Sequence, residues 1–432
     1  MRAAFYTLGC KVNQYETQIL QQHFAREGYE IVDFEEEADV YVVNSCTVTA
    51  TGDKKSRKAL RACLRRNPGA VGVLTGCFPQ AFPEEATAFL EAKVVAGARD
   101  RNKLLRLVEH ALRTGERVVD IPPHERGEAF EEMQAERFLE RTRAFVKIED
   151  GCENWCSYCI IPKARGPIRS KPLDSLGQEL ASLAQAGYRE AVLTGINLSS
   201  YGKDLGLRLA DAVEAACAVE GLARVRLSSL EPELLTEEDI ARLANCEKLC
   251  PQFHLALQSG CDETLRRMNR HYDRAEYARI VASLRARFPG ASFTTDMMVG
   301  FPGETEEEFA RSLAFAEEIG FAKVHVFAYS PRPGTRAAAL PEQVSAAEKS
   351  RRSAALAAAC QATRARFLAA QVGSLSRVLF ETHSEPQGWF GYTENYTPVY
   401  VASGKPLAGQ VHAVRITSAS EDFCLGELVS SH

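Results

Sequence analysis

Between residues 144 and 329 the chain repeats one pattern six times: a short apolar run, then an amphipathic stretch long enough for a helix. The runs at 145–149, 191–194, 225–230, 253–257, 293–299 and 324–329 are strand-sized and rich in Val, Leu and Phe. Strands buried on both faces read this way. Such alternation predicts a parallel sheet, because each strand is re-entered from the same end through a helical crossover. Six repeats predict a partial (β/α)6 barrel, since a closed eight-stranded barrel takes about 250 residues and this segment has fewer. Asp273 with Glu276, and Thr305 with Glu308, mark two helix starts as capping boxes. Ligands of such a fold bind at the C-terminal ends of its strands.

The flanks read differently. Residues 1–113 predict a separate parallel α/β domain with strands at 5–8, 40–43 and 71–74. Residues 114–143 lose the rhythm, contain Pro122 and Pro123, and read as a connector. The barrel then occupies 144–340, and a long helix 341–370. Residues 371–432 read as a small all-β module, a five-strand barrel with turns at Pro386-Gln387-Gly388 and Ser403-Gly404-Lys405.

Composition matters for where the chemistry lies. Hydrophobic content of 45% and charged content of 25% over 432 residues are those of a folded soluble protein, against disorder and low complexity. No run approaches the roughly 20 apolar residues of a membrane span. The polar turn at Lys11 and Asn13, with no cleavage pattern, predicts a cytoplasmic protein. A net charge of −5 leaves nucleic-acid contact to local basic patches. Thirteen cysteines in a chain read as cytosolic point to metal binding over disulfides.

Cys152, Cys156 and Cys159 form Cys-x3-Cys-x2-Cys directly after the first barrel strand. One loop can then wrap three corners of a [4Fe–4S] cube, leaving an iron open to a substrate or cofactor. A structural zinc site is the alternative; it wants four ligands, and this loop has no fourth Cys or His. Cys10, Cys46 and Cys77 each follow a predicted strand, behind the small residues Gly9, Ser45 and Gly76. Parallel strands bring such ends together, so a second three-thiolate cluster is expected, with buried apolar cysteines the alternative. Cys63, Cys217, Cys246, Cys250, Cys261, Cys360 and Cys424 lack that placement and read as structural filling.

The Cys152–Cys159 loop resembles the radical S-adenosylmethionine superfamily, whose cube reductively cleaves the cofactor to a 5′-deoxyadenosyl radical. The three-part layout, with Ala164-Arg165-Gly166, Arg169-Ser170, Gln258-Ser259-Gly260 and Gly300-Phe301-Pro302-Gly303-Glu304-Thr305, resembles the methylthiotransferases over essentially the whole chain. Leu8-Gly9-Cys10-Lys11-Val12-Asn13 is similar to the branch modifying N6-threonylcarbamoyladenosine at tRNA position 37; the isopentenyladenosine branch more often reads Gly-Cys-Gln-Met-Asn. The resemblance implies a radical S-adenosylmethionine barrel, two [4Fe–4S] clusters on the two triplets, and a C-terminal barrel of the TRAM type. It implies C2 methylthiolation of the adenine, with S-adenosylmethionine as both methyl donor and radical source. It further implies a flavodoxin- or ferredoxin-like electron donor and a sulfur source. Thr194-Gly195-Ile196-Asn197 stands where the superfamily carries its amino-group-binding Gly-Gly-Glu turn, so Thr194, Gly195 and Asn197 are cofactor candidates with Ser229, Glu231 and Gln258.

The tRNA partner directs attention to basic residues. Lys54, Lys55, Arg57, Lys58 and Arg61, with Arg65 and Arg66, fall on one predicted helix after Cys46, while Arg266, Arg267 and Arg270 lie near the radical loop. Trp389, Phe390, Tyr392 and Tyr396 are offered either for stacking bases or for the barrel core. From residue 372 on, however, three basic residues face six acidic ones. Lys349, Arg351, Arg352, Arg364 and Arg366 on the preceding helix partly offset that. The competing readings are methylthiolation of isopentenyladenosine or of a ribosomal-protein aspartate, and a non-enzymatic iron–sulfur scaffold.

Overall fold

The computed structural model describes residues 1–135 and 142–429. Residues 136–141 of the expected connector and 430–432 of the C-terminal module lie outside the described residues.

The N-terminal sheet holds six parallel strands: β1 (Arg2–Thr7), β2 (Glu30–Val32), β3 (Val40–Ser45), β4 (Val71–Gly76), β5 (Val94–Ala96) and β6 (Val118–Asp120). Their order is β2-β1-β3-β4-β5-β6. β3 and β4 are buried at every position, as central parallel strands with helices on both faces must be. Those helices include α1 (Lys11–Arg26), α2 (Ala50–Arg66), α3 (Cys77–Ala81), α4 (Pro83–Thr87) and α5 (Leu104–Thr114). The chain turns opposite ways from β1 to reach β2 and β3, which creates a ligand-binding crevice at their carboxyl ends. β6 lies inside the stretch read as connector. Like β2 and β5 it is only three residues long, too short to show a period.

The barrel is built as the alternation predicts. β7 (Arg143–Lys147) is followed by the small hairpin β8 (Glu149–Asp150) and β9 (Arg169–Ser170), then β10 (Glu190–Thr194), β11 (Arg224–Leu227), β12 (Ser229–Leu230), β13 (Gln252–Leu255), β14 (Ser292–Val299) and β15 (Lys323–Ala328). The third predicted strand breaks at Ser228, splitting the parallel wall into β11-β10-β7 and β12-β13-β14-β15. No described pairing joins β15 to β7, so the barrel is open along β15. Helices α6 (Ile161–Arg165), α7 (Leu173–Gln185), α8 (Leu209–Ala218), α9 (Glu237–Ala244), α10 (Asp262–Arg267), α11 (Arg274–Arg287) and α12 (Glu306–Ile319) fill the crossovers. Thr305 and Glu308 form the full capping box, whereas at Asp273 only the cap side chain accepts, from Glu276 N.

Helix α13 (Ala346–Ala369) begins at its cap Ser345, later than the expected 341, because the Ser345 side chain accepts from Glu348 N. The C-terminal strands β16 (Leu375–Ser384), β17 (Gly388–Thr393), β18 (Pro398–Val401), β19 (Val411–Ala419) and β20 (Cys424–Leu428) close into a five-strand barrel. It docks on the N-terminal ends of the large barrel's strands. Arg224 donates to the carbonyls of Tyr392 and Arg377 at 3.1 and 2.7 Å, and Arg226 to that of Glu394 at 2.9 Å.

Candidate active site

The ends of β1, β3 and β4 place Cys10, Cys46 and Cys77 around one point. Gly9 and Gly76 have φ of +117° and +98°, conformations that cost little only without a Cβ. A Cβ on Gly9 would lie 3.3 Å from Cys46 Sγ, and one on Gly76 would lie 2.4 Å from Asn44 Oδ1. Asn13, one turn into α1, spans the group: its Oδ1 is 3.9 Å from Cys10 Sγ and 4.0 Å from Cys77 Sγ. Its Nδ2 donates to the carbonyls of Leu8 and Ser45, so its orientation is fixed. Burial, with the neighbouring Cys77 and Cys10, pushes the bare Cys46 thiol up to about 12. A cationic centre bound there would favour the Cys46 thiolate against that burial.

The second triplet sits where β7 and β8 deliver the chain to the barrel's C-terminal end. Gly151, at φ +95°, passes so close to the Pro167 carbonyl that a Cβ would lie 1.9 Å from its oxygen. Cys152 N donates to Gly166 O at 3.1 Å, Ser157 N to Met268 O at 2.9 Å, and Asn269 Nδ2 to Trp155 O at 3.2 Å. Burial raises Cys152 to about 12 and raises Cys159 further, with Cys156 adding to both. Among the described residues no three His, Cys, Asp or Glu side chains share the centre of a single ion. A [4Fe–4S] cube needs no shared centre, because each thiolate bonds its own iron. Three converging thiols in each place therefore fit such a cube.

The cofactor candidates surround that loop unequally. Asn197 directs Nδ2 toward Cys152 Sγ at 3.9 Å, and its buried Oδ1 has no partner. Asn197 N donates to Glu149 Oε2 at 2.7 Å. Gly195 passes so close that a Cβ would lie 2.5 Å from that oxygen. Burial pushes the Glu149 carboxyl far above its ordinary range, and its Oε1 is also unpartnered. Thr194 is buried, its carbonyl accepting from Ile148 N. Gln258 is held at φ +63° between Asp296 O and Met298 N.

The basic residues separate into two kinds. Lys54, Lys55 and Lys58 are exposed on α2 and make no ion pair among the described residues. Arg57 and Arg61 lean on Glu85 and Glu91. Arg266 is exposed, while Arg267 pairs with Glu308 at 2.9 Å. Arg270 corrects the expectation of an RNA contact: it is buried, pairs with Glu231, and donates from Nη1 to Cys156 Sγ at 3.2 Å. The Tyr392 and Tyr396 rings stack on each other at 4.2 Å and lie under Arg143 and Arg226. They serve the docking of the small barrel and, half-buried, also line the cavity between it and the large barrel. On α13, Arg351, Arg352 and Arg364 are paired with Glu306, Glu304 and Asp422.

Arg165 of the barrel domain reaches the N-terminal triplet. Arg165, fully buried on α6, donates from Nε to Cys77 Sγ at 3.2 Å and from Nη2 to Asn13 Oδ1 at 2.6 Å. Its Nη1 reaches Glu16 at 2.6 Å and Asp150 at 3.3 Å. Against burial, Arg101, Arg165 and Lys147 hold the Glu16 carboxyl down at about 2. The signal available in sequence was Glu16 one turn after Asn13 on a buried helix face.

Two cavities border the site. One of about 1200 Å³ lies outside the Cys152 loop, walled by Trp155, Lys163, Gln80 and connector residues such as His124 and Phe130. The other, about 670 Å³, is the part of the barrel lumen that faces α13 and the small barrel, whose Phe390, Tyr392 and Tyr396 help to wall it. Lys11, Ser229, His254, Asp296, His325 and Phe327 line it. Protein surrounds Lys11 on most sides while its side chain opens onto this space. Burial, with Arg143 and Arg226 nearby, lowers its amine to about 8.

Family models match three parts of the chain: the Radical SAM superfamily over residues 146–316, the uncharacterized protein family UPF0004 over 2–97, and the TRAM domain over 369–429. A Bacillus subtilis protein named threonylcarbamoyladenosine tRNA methylthiotransferase MtaB is 38% identical, covering 99% of this chain and 96% of its own. An Aquifex aeolicus protein of that name is 40% identical over 80% of this chain and 85% of its own. A Pelotomaculum thermopropionicum protein named tRNA-2-methylthio-N(6)-dimethylallyladenosine synthase is 33% identical over 95% of this chain and 94% of its own. Among solved structures, the radical S-adenosylmethionine methyltransferase TsrM from Kitasatospora setae shares the fold, with a TM-score of 0.60 at 17% identity, covering 78% of this chain and 74% of that one.

Proposed function

The chain belongs to the radical S-adenosylmethionine tRNA methylthiotransferase family, and from that premise we propose how its residues divide the work of methylthiolating N6-threonylcarbamoyladenosine at C2. The observation that carries the proposal is the pair of thiol triplets, one at the strand ends of each α/β unit, with Arg165 of the barrel domain donating to Cys77 of the other. When bound, a [4Fe–4S] cluster on Cys152, Cys156 and Cys159 supplies the electron for cofactor cleavage, and a second on Cys10, Cys46 and Cys77 holds the sulfur to be transferred.

The chain's own groups hold and orient. The unpartnered Asn197 Oδ1 is an acceptor for the cofactor's amino group beside Cys152, and Glu149 Oε1 becomes a second once that cation ionises its carboxyl; a buried acceptor left unpaired costs about 1–3 kcal/mol, so a bound donor is favoured. Thr194, Gly195 and Gln258 shape that pocket through their backbone. Glu231 acts by fixing Arg270 against Cys156, and Ser229 faces the lumen where the adenine enters. Lys54, Lys55 and Lys58, supported by Arg57, Arg61 and Arg266, contact the phosphates of the tRNA.

This reading calls for a flavodoxin- or ferredoxin-like electron donor, a sulfur source, and the tRNA-bearing cytoplasm. Its test is nucleoside mass spectrometry after anaerobic reaction with tRNA carrying threonylcarbamoyladenosine, dimethylallyladenosine or unmodified adenosine. A methylthio mass gain on the first substrate alone supports the reading; a gain on the second alone overturns it.

A further inference from the structure

Resting on that substrate reading, we infer that Lys11 is the specificity residue, its ammonium taking the carboxylate of the threonylcarbamoyl group in the barrel lumen. Three observations converge on it. Lys11 lines the 670 Å³ lumen although it belongs to the N-terminal sheet domain, so the transferred-sulfur domain itself contributes a wall of the substrate space. Its amine makes no hydrogen bond or ion pair among the described residues, whereas the cavity's two arginines are committed. Arg226 is bound to Glu190 at 2.7 Å, Arg364 to Asp422 at 3.3 Å, and Asp296 lies 3.4 Å from His254 Nε2. Lys323, likewise without an ion pair among the described residues, also lines the cavity, from the first residue of β15. Lys11 directly follows Cys10.

That adjacency decides the assignment. In adenine, C2 and the N6 substituent flank N1 on one edge of the ring. A base presenting C2 to sulfur held at Cys10, Cys46 and Cys77 therefore carries its N6 substituent to a neighbouring point, where Lys11 stands. A threonylcarbamoyl group brings an anion there and forms a charge-assisted hydrogen bond. A dimethylallyl group would strip water from the ammonium and return nothing, which makes the lysine a repulsive element against that substrate as well as an attractive one for its own.

The experiment measures binding, at constant salt, of anticodon stem-loops to the reconstituted holoprotein, with iron content checked for each variant. The RNA carries threonylcarbamoyladenosine, its near-isosteric carboxamide, in which a neutral amide replaces the carboxylate, or dimethylallyladenosine. Wild type should prefer the acid by on the order of tenfold to a hundredfold. Lys11→Gln should bind both alike, and Lys11→Arg should keep most of the preference. A Lys11→Gln protein that still prefers the acid overturns the assignment, as does a wild type indifferent to the charge, which needs no variant at all. A wild type preferring dimethylallyladenosine RNA to both threonylcarbamoyl forms would instead overturn the substrate reading on which the assignment rests.

Discussion

Gly76 holds the Cys10–Cys46–Cys77 triplet together as firmly as the cysteine after it, because no Cβ fits between its left-handed backbone and Asn44. Gly76→Ala should cost about 1–3 kcal/mol and displace Cys77, read as a lower urea midpoint together with reduced iron content. Glu16→Gln leaves Arg101, Arg165 and Lys147 without their shared anion, and should destabilise by about 3–5 kcal/mol in thermal or denaturant unfolding. Protonation does the same. A carboxyl held at about 2 against an ordinary 4.5 contributes stability that is complete above about 4.5 and lost as pH falls toward 2. Unfolding followed between pH 6 and 2 should show that loss, and Glu16→Gln should flatten it. The two cysteine groups could be drawn from sequence, Cys152, Cys156 and Cys159 by their spacing and Cys10, Cys46 and Cys77 by their place after predicted strands. Arg270's contact could not: a basic residue's destination depends on its partner, and Glu231 lies 39 residues away in the chain.

At the scale of elements, α2 presents Lys54, Lys55 and Lys58 to solvent while its Asp53 is pinned by Arg332 at 2.6 Å, so the basic face is held rigidly beside Cys46. Replacing the three lysines by glutamine should weaken tRNA binding and make the slope of log K against log salt shallower by about two. An unchanged slope would move the RNA footprint elsewhere. Periodicity revealed the six strand regions of the parallel wall, since each carries enough apolar residues to outweigh its flanks, but not the break at Ser228 or the two-residue β9. It missed β2, β5 and β6, whose three residues are held in the sheet by their neighbours and not by a pattern of their own. The capping box at Thr305 was readable for a related reason: its partners are three residues apart, so the contact is local.

For the whole molecule, the layout of three parts was legible from motifs and alternation, but the interfaces between them were not. Those interfaces are made of charges that a sequence reads as surface: Arg165 and Lys147 toward Glu16, and Arg143, Arg224 and Arg226 toward the small barrel. Tyr396→Ala removes the ring under Arg226 and Arg143. It should loosen that barrel, seen as faster proteolysis near residue 373 with secondary structure retained; unchanged cleavage would show that the carbonyl contacts suffice. The central claim is that two thiol triplets perform separate halves of one reaction on one tRNA. Its most direct test quantifies 5′-deoxyadenosine and methylthiolated nucleoside together, in wild type, Cys46→Ala and Cys156→Ala, under anaerobic reduction with threonylcarbamoyladenosine tRNA. Wild type should yield both products, Cys46→Ala 5′-deoxyadenosine alone, and Cys156→Ala neither. Methylthiolated product from Cys46→Ala, or loss of 5′-deoxyadenosine in Cys46→Ala with Cys156→Ala still producing it, would contradict the account.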